Sequence, residues 1–348
     1  MELKTYNQVI KYLDKKNRPH HLLLGNGFSM AYDSSIFSYN ALNRFIDEID
    51  NDLLSKLFEI VNTKNFELVM QQLDNFYELV EVFGTDKSLK RKVKNASKKL
   101  KKSLIDAIRS LHPEHVFVIP EEKSQVCASF LVRYLSGGKK VFTTNYDVLL
   151  YWVLMRNHHK LPDHVDGFGR DLENDDEYVP EDEREYSELR WGRNREGQNI
   201  FYVHGTLPIF DTGIEIVKEE YDTSNYLMEN IESRLDKQEY PIFVTAGNGQ
   251  EKLTHIMHNR YLTDCYENLC NIDGSLVTFG FNFGENDGHI IDAINIAAKQ
   301  GKKTNPRLWS IYVGVYSEED KRHIVQIERK FKCKVQIYDS NTAPIWKI

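Results

Sequence analysis

Cysteine is sparse in this chain and never closely paired. Cys127, Cys265, Cys270 and Cys333 are its four cysteines, and no two of them stand as Cys-x-x-Cys. That spacing implies neither a zinc ribbon nor a disulfide framework, and leaves buried or half-buried free thiols as the expected state. Long apolar runs are missing too. None approaches the roughly 20 residues that span a bilayer, and Met1-Glu2-Leu3-Lys4-Thr5 lacks the apolar core of a secretory signal. Together these absences predict a cytoplasmic protein with no membrane partner. Positive charge is not in excess, since the formal net charge is −7, which argues against nonspecific nucleic-acid binding. His255-x-x-His258 has helical spacing but no third ligand nearby, so no metal is expected. The chain also lacks internal repeats and low-complexity linkers.

What is present is 348 residues with the apolar and charged fractions of a globular protein, enough for one large domain or two ordinary ones. Leu22 to Leu24 reads as a buried strand that breaks into Gly25-Asn26-Gly27-Phe28-Ser29. Glycine permits backbone angles closed to other residues and lets a ligand approach the main chain. A strand feeding such a turn points N–H groups outward, which suits a phosphate or pyrophosphate. The same pattern is also found in plain tight turns, so its meaning depends on the rest of the chain.

A short amphipathic helix (Val9, Ile10, Leu13) is expected before Pro19. From about Ala41 to Leu135 the pattern is helical. Phe66, Val69, Met70, Leu73, Tyr77 and Val80 recur at helical spacing, as do Ala96, Leu100, Leu104, Ile108 and Leu111, with Pro113 ending the run. Ser124 is placed as the cap of a helix carrying Phe130 and Leu131, stopped by Gly137-Gly138. The Lys87–Lys102 run has no interleaved aromatics and reads as a solvated helix face. Residues 170–190 read as an acidic surface loop.

Further strands are expected at Val141–Thr143, Asn199–Val203, Pro241–Thr245, Ser275–Phe281, Leu308–Val313 and Lys334–Tyr338. Helices are expected at Val148–Met155, around Ile256–Leu269, at Ile290–Ala298 and after Ser317. This alternation predicts an α/β fold: a Rossmann-like, doubly wound, mainly parallel sheet with a long helical insertion over 41–135. Four strand ends carry unusual turns: Gly25–Ser29, Asn145–Asp147, His204–Gly205 and Gly280–Asp287. In a parallel sheet these open on one edge, where ligands of such folds bind.

Gly25-Asn26-Gly27-Phe28-Ser29, Thr143-Thr144-Asn145-Tyr146-Asp147, His204-Gly205 and Gly280-Phe281-Asn282-Phe283 resemble, in this order, the motifs of sirtuin-like NAD-binding domains. The likeness is closest to the bacterial sirtuin-like proteins of antiviral defence, and Asn65-Phe66-Glu67 ahead of an apolar helix also looks like that branch. The resemblance spans about residues 20–295 and implies a single sirtuin-like domain over 1–348. Protein-deacylating sirtuins carry a four-cysteine zinc module that is absent here, and Asn26 stands where Gly-Ala-Gly has alanine. The missing module disfavours deacylation and fits the defence branch, which resembles NAD glycohydrolases.

The resemblance implies NAD+ as substrate and a nicotinamide-releasing hydrolase that depletes NAD+ in defence. It implies that Gly25, Gly27 and Ser29, with Asn26, Phe28 and Thr144 beside them, hold the pyrophosphate. Asn145 would hold the ribose hydroxyls or the attacking water. His204 would be the general base, and Asp147 would orient Asn145 or the nicotinamide amide. Gly280, Phe281 and Asn282 would line the adenosine side. A homo-oligomer, with a defence-system partner protein, is expected. Three other readings are weighed: a non-catalytic sensor of NAD+ or ADP-ribose, a protein deacylase, and a nucleic-acid-associated component using the Lys87–Lys102 face.

Overall fold

The structure is a computed structural model describing residues 3–34, 66–83, 87–111, 116–173, 184–221, 226–244, 248–299 and 305–347, with the short pieces 56, 59–60, 180 and 301–302. Strand β1 (Lys4–Thr5) leads into helix α1 (Tyr6–Lys15), where Thr5 accepts from the Gln8 N–H and Gln8 answers to the Thr5 N–H. This reciprocal cap satisfies two backbone donors that the first helical turn cannot. Tyr6, Val9, Ile10 and Leu13 form the buried stripe of α1. Strand β2 (His20–Leu24) is buried at every position and feeds helix α2 (Gly27–Tyr32).

Helices α3 (Phe66–Phe83) and α4 (Lys87–Leu111) follow and pack against each other, with Val69, Leu73, Val93, Ala96 and Leu100 among their buried residues. Most of the expected helical span from 41 to 65, including Asn65, and the Pro113 stop lie outside the described residues. Helix α5 (Glu121–Leu131) starts after Pro120, four residues earlier than expected, with Glu121 and Glu122 in its first turn, where acidic side chains favour a helix start. Ser124 is therefore not a cap. It lies inside the helix, buried, and its hydroxyl accepts from Asn157 Nδ2 at 2.8 Å.

The parallel sheet continues with β3 (Val141–Thr143), followed by α6 (Leu149–Arg156). Next come β4 (Phe168–Gly169), β5 (Leu189–Trp191), β6 (Ile200–Tyr202), β7 (Gly205–Asp211), β8 (Ile216–Lys218), α7 (Leu227–Asp236) and β9 (Tyr240–Phe243). Helices α8 (Gly249–His258) and α9 (Arg260–Cys270) occupy the single helical stretch expected there. They are separated because the Asn259 side chain accepts from the Tyr261 and Leu262 N–H groups and so starts a new helix. The chain proceeds through β10 (Gly274–Phe279), α10 (Gly288–Lys299), β11 (Gly301–Lys302), β12 (Asn305–Pro306), β13 (Leu308–Val315), α11 (Glu318–Ile327) and β14 (Lys334–Asp339). Ser317 and Asp320 form the capping box that opens α11.

Seven strands form one sheet in the order β1-β14-β13-β10-β2-β3-β6, with every neighbouring pair parallel. Counted from β2, the six strands inside β1 follow the doubly wound order 3-2-1-4-5-6, so the fold is Rossmann-like α/β. Register aligns the strand ends. Leu24 stands opposite both Thr143 and Phe279, and Thr143 opposite Tyr202. The residues that follow, Gly25, Thr144, Val203 and Gly280, therefore emerge side by side.

A second sheet was not expected from the sequence. It is antiparallel, in the order β4-β5-β8-β7-β9, and it takes up the segment expected as one more parallel strand at Pro241–Thr245. The β7–β8 hairpin turns at Gly213, whose φ of 81° favours glycine. The described ends of the 170–190 segment also pair, through a Leu172–Tyr186 bridge, with Arg190 and Arg193 meeting Asp171. Described parts of α3 pack on β9 and those of α4 on α7. No helix of the described residues is long and apolar enough to cross a membrane.

Candidate active site

A cavity of about 770 Å³ opens at the carboxyl ends of the parallel strands. It sits over the crevice between β2 and β10, where the strand order reverses. All four polar strand ends contribute to it: Asn26 and Gly27; Thr144, Asn145 and Asp147; His204; and Gly280, Phe281 and Asn282. No described residue of α3 or α4 is among its walls.

The glycine turn is arranged for packing between loops. A Cβ on Gly27 would lie 2.5 Å from Gly280 Cα, and one on Gly25 would lie 2.5 Å from the Gly280 carbonyl oxygen. Gly280 has a φ of 67°, and its own Cβ would meet Gly27 at 2.5 Å. The Gly25 N–H donates to the Phe279 carbonyl at 3.0 Å and the Gly27 N–H to the Gly280 carbonyl at 2.9 Å. The Phe28 and Ser29 N–H groups close the first turn of α2 on Gly25 and Asn26. Gly25, Phe28 and Ser29 sit behind the wall, whereas Asn26 and Gly27 face the cavity.

Ser29 is instead the centre of a buried network. Its hydroxyl donates to Asp147 Oδ2 at 2.6 Å and accepts from Asn145 Nδ2 at 2.9 Å. Asp147 Oδ1 also accepts from the Leu149 N–H at 3.0 Å, which caps α6. Burial raises the Asp147 carboxyl to about 6, against the smaller lowering effects of these two donors. The Thr143 hydroxyl accepts from the Asn145 N–H at 3.0 Å and fixes the backbone of this turn.

His204 lies where the chain leaves one sheet for the other. The Val203 N–H donates to the Thr143 carbonyl in the parallel sheet, and the His204 carbonyl accepts from the Val244 N–H beyond β9. Its Nε2 stands 2.8 Å from Nε2 of His289, with the rings nearly parallel at 23° and 5.0 Å between centroids. Burial, followed by the neighbouring His289 and Lys252, holds His204 well below the usual histidine range. Burial and Lys252 push His289 down to about 3. Lys252 is itself buried and reaches Asp287 Oδ1 at 3.1 Å.

The opposite wall comes from β13 and the segment after β14, through Val313, Val315, Ile345 and Trp346 among others. Trp346 Nε1 donates to the Phe28 carbonyl at 2.8 Å, and its ring lies 5.1 Å from those of both Phe28 and Tyr32. Neither Trp346 nor His289 stands out in the sequence. The only trace of His289 is its position just after the polar loop at Gly280–Asp287.

Fold and site together define a Rossmann-like α/β protein whose candidate site lies at the topological switch point. Residues 22–346 match the family described as a domain of unknown function, DUF4917, and the chain belongs to that family. No curated protein matches it.

Proposed function

We propose that the chain is an NAD+ glycohydrolase, converting NAD+ and water into ADP-ribose, nicotinamide and a proton. The observation that carries this reading is the Asn145–Ser29–Asp147 network at the switch-point cleft of a dinucleotide-type strand order. The cavity volume of about 770 Å³ falls in the upper part of the roughly 300–1,000 Å³ usual for ligand pockets. Cleavage of the nicotinamide–ribose bond builds positive charge on the sugar, so a fixed anion and a positioned water are the main requirements.

Asp147 meets the first requirement. Its carboxyl, raised by burial to about 6, can both stabilise the developing cation and accept the proton of water. With Nδ2 donated to Ser29, Asn145 has its amide oxygen left to hold a ribose hydroxyl or the attacking water. His204, expected as the base, is held neutral, with its Nε2 facing His289. The proposal therefore gives proton acceptance to Asp147 and keeps His204 as a wall of the cleft. The resemblance to defence-type sirtuin-like proteins extends the reading to an effector that depletes NAD+.

Purified protein incubated with NAD+ and followed by mass spectrometry should release nicotinamide and ADP-ribose, and Asp147→Asn and Asn145→Ala should each abolish release. Full turnover in both variants would sink the mechanism. One observation favours a second reading, a sensor that binds ADP-ribose without cleaving NAD+: the Asn145 amide nitrogen and Nε2 of His204 are both already engaged within the protein. Saturable binding of ADP-ribose with no product from NAD+ would establish that alternative.

A further inference from the structure

Beside the Asn145–Ser29–Asp147 network lies a buried polar cluster that the proposed reaction does not use: His204, His289, Lys252 and Asp287. Two imidazole nitrogens 2.8 Å apart need one proton between them. The other nitrogen of His289 decides which ring carries it. Nδ1 of His289 is buried with no hydrogen-bond partner among the described residues, and a bare buried acceptor is less rare than an orphaned buried N–H. The proton of His289 therefore sits on Nε2, which faces His204. A neutral imidazole has a single N–H, so Nε2 of His204 accepts and Nε2 of His289 donates. Nδ1 of His204 then carries the single proton of that ring.

We propose that His289 is a positioning residue of the site. Its Nε2–H fixes His204 as the neutral Nδ1–H tautomer and keeps the cleft wall uncharged where a cationic nicotinamide ring is bound. The assignment of the ligand rests on the NAD+ reading above; the assignment of the tautomer does not.

The groups facing the pair agree with a neutral state. Lys252 and His255 on α8 both disfavour a proton on His204, and Lys252 does the same for His289. Asp287 is engaged with Lys252 and with the Gly284 N–H. The Tyr266 hydroxyl on α9 donates to the His289 carbonyl at 3.0 Å and leaves the ring alone. A protonated His204 would set a second positive charge against a pyridinium ring.

The test is the full chain labelled with 15N-histidine, with its imidazole proton–nitrogen correlations recorded from about pH 5.5 to 8. His204 should show a protonated Nδ1 and bare Nε2, His289 the reverse, and neither should titrate. In His289→Leu, His204 should lose its fixed tautomer, and KM for NAD+ at pH 6 should rise about tenfold with a smaller change in kcat. His289→Gln, whose amide can donate to His204, should restore both the tautomer and KM. A His204 protonated at Nε2 in the wild type overturns the proposal, as does a tautomer that His289→Leu leaves unchanged. The wild-type spectrum decides the matter even if the leucine variant does not fold. Absence of nicotinamide release by the wild type would instead overturn the NAD+ reading and leave the tautomer to the spectra.

Discussion

The hydroxyl of Ser29 donates to Asp147 at 2.6 Å across 118 residues of sequence, joining the first turn after β2 to the turn after β3. Because the same hydroxyl accepts from Asn145, one oxygen sets the orientation of two cavity-lining side chains. Ser29→Ala removes both interactions and leaves buried polar groups unpaired, so it should cost about 1–3 kcal/mol in urea unfolding. The lost donor also lowered the Asp147 carboxyl, so the acid limb of nicotinamide release should move to higher pH. An unmoved limb would separate Ser29 from the chemistry.

Asp147→Asn should stabilise the protein at neutral pH while abolishing turnover. The carboxyl rises from 3.8 in the unfolded chain to about 6 in the fold, so its protonated form favours folding. That contribution is fully present below about pH 4 and is lost as pH rises through 6. About two units at roughly 1.4 kcal/mol each set an upper bound near 3 kcal/mol. Thermal melts should place the variant above the wild type at pH 7, with the gap closing near pH 4. A variant less stable at pH 7 would contradict the assigned shift.

The two histidines act in the opposite sense. His204 and His289 are held below their unfolded value of 6.5, so the stability they favour is present above 6.5 and lost as pH falls. For His289 the loss extends down to about pH 3. His289→Gln should flatten the melting temperature between pH 6.5 and 4 relative to wild type. An equally steep acid loss in the variant would show that another group governs that limb.

The strand ends of the site were legible in the sequence because Gly25, Asn145, His204 and Gly280 each interrupt an apolar run. Parallel strands buried on both faces make such interruptions conspicuous. The second sheet was not legible. Strands β5 and β8 have three residues each and offer too little pattern to separate strand from loop. Pairing of His204 with His289 spans 85 positions and has no local signature. Nor did the sequence reveal that Gly25 and Gly27 serve the approach of another loop, since glycine signals closeness without saying to what.

That approach predicts a contrast among glycines. Gly27→Ala and Gly280→Ala each place a Cβ 2.5 Å from backbone that cannot yield, and Gly280 also has a positive φ. Each should lose about 1–3 kcal/mol or more. Gly288→Ala meets nothing within 4 Å and has a helical φ of −52°, so it should be neutral or stabilising by up to about 1 kcal/mol. Chemical denaturation of the three variants checks the order, and equal losses would refute it.

Trp346 fixes the segment after β14 onto α2. Trp346→Phe should lose roughly 1 kcal/mol, the share of the N–H donated to the Phe28 carbonyl. Trp346→Ala should lose roughly 3–5 kcal/mol, because the ring is 5% exposed and packs on Phe28 and Tyr32. Equal losses in the two variants would mean that the ring contributes nothing beyond its hydrogen bond.

The same contact bears on the protein's synthesis. One wall of the cleft begins at Asn26 and another runs to Trp346 and Lys347, so all the chain between them must leave the ribosome before the cleft can close. A nascent chain holding β2, β3 and β6 already carries Ser29, Asn145, Asp147 and His204, but it lacks β10, β13 and the tryptophan that finish the enclosure. A nascent chain that stops short of β10 thus has the site's polar groups without the walls that enclose them.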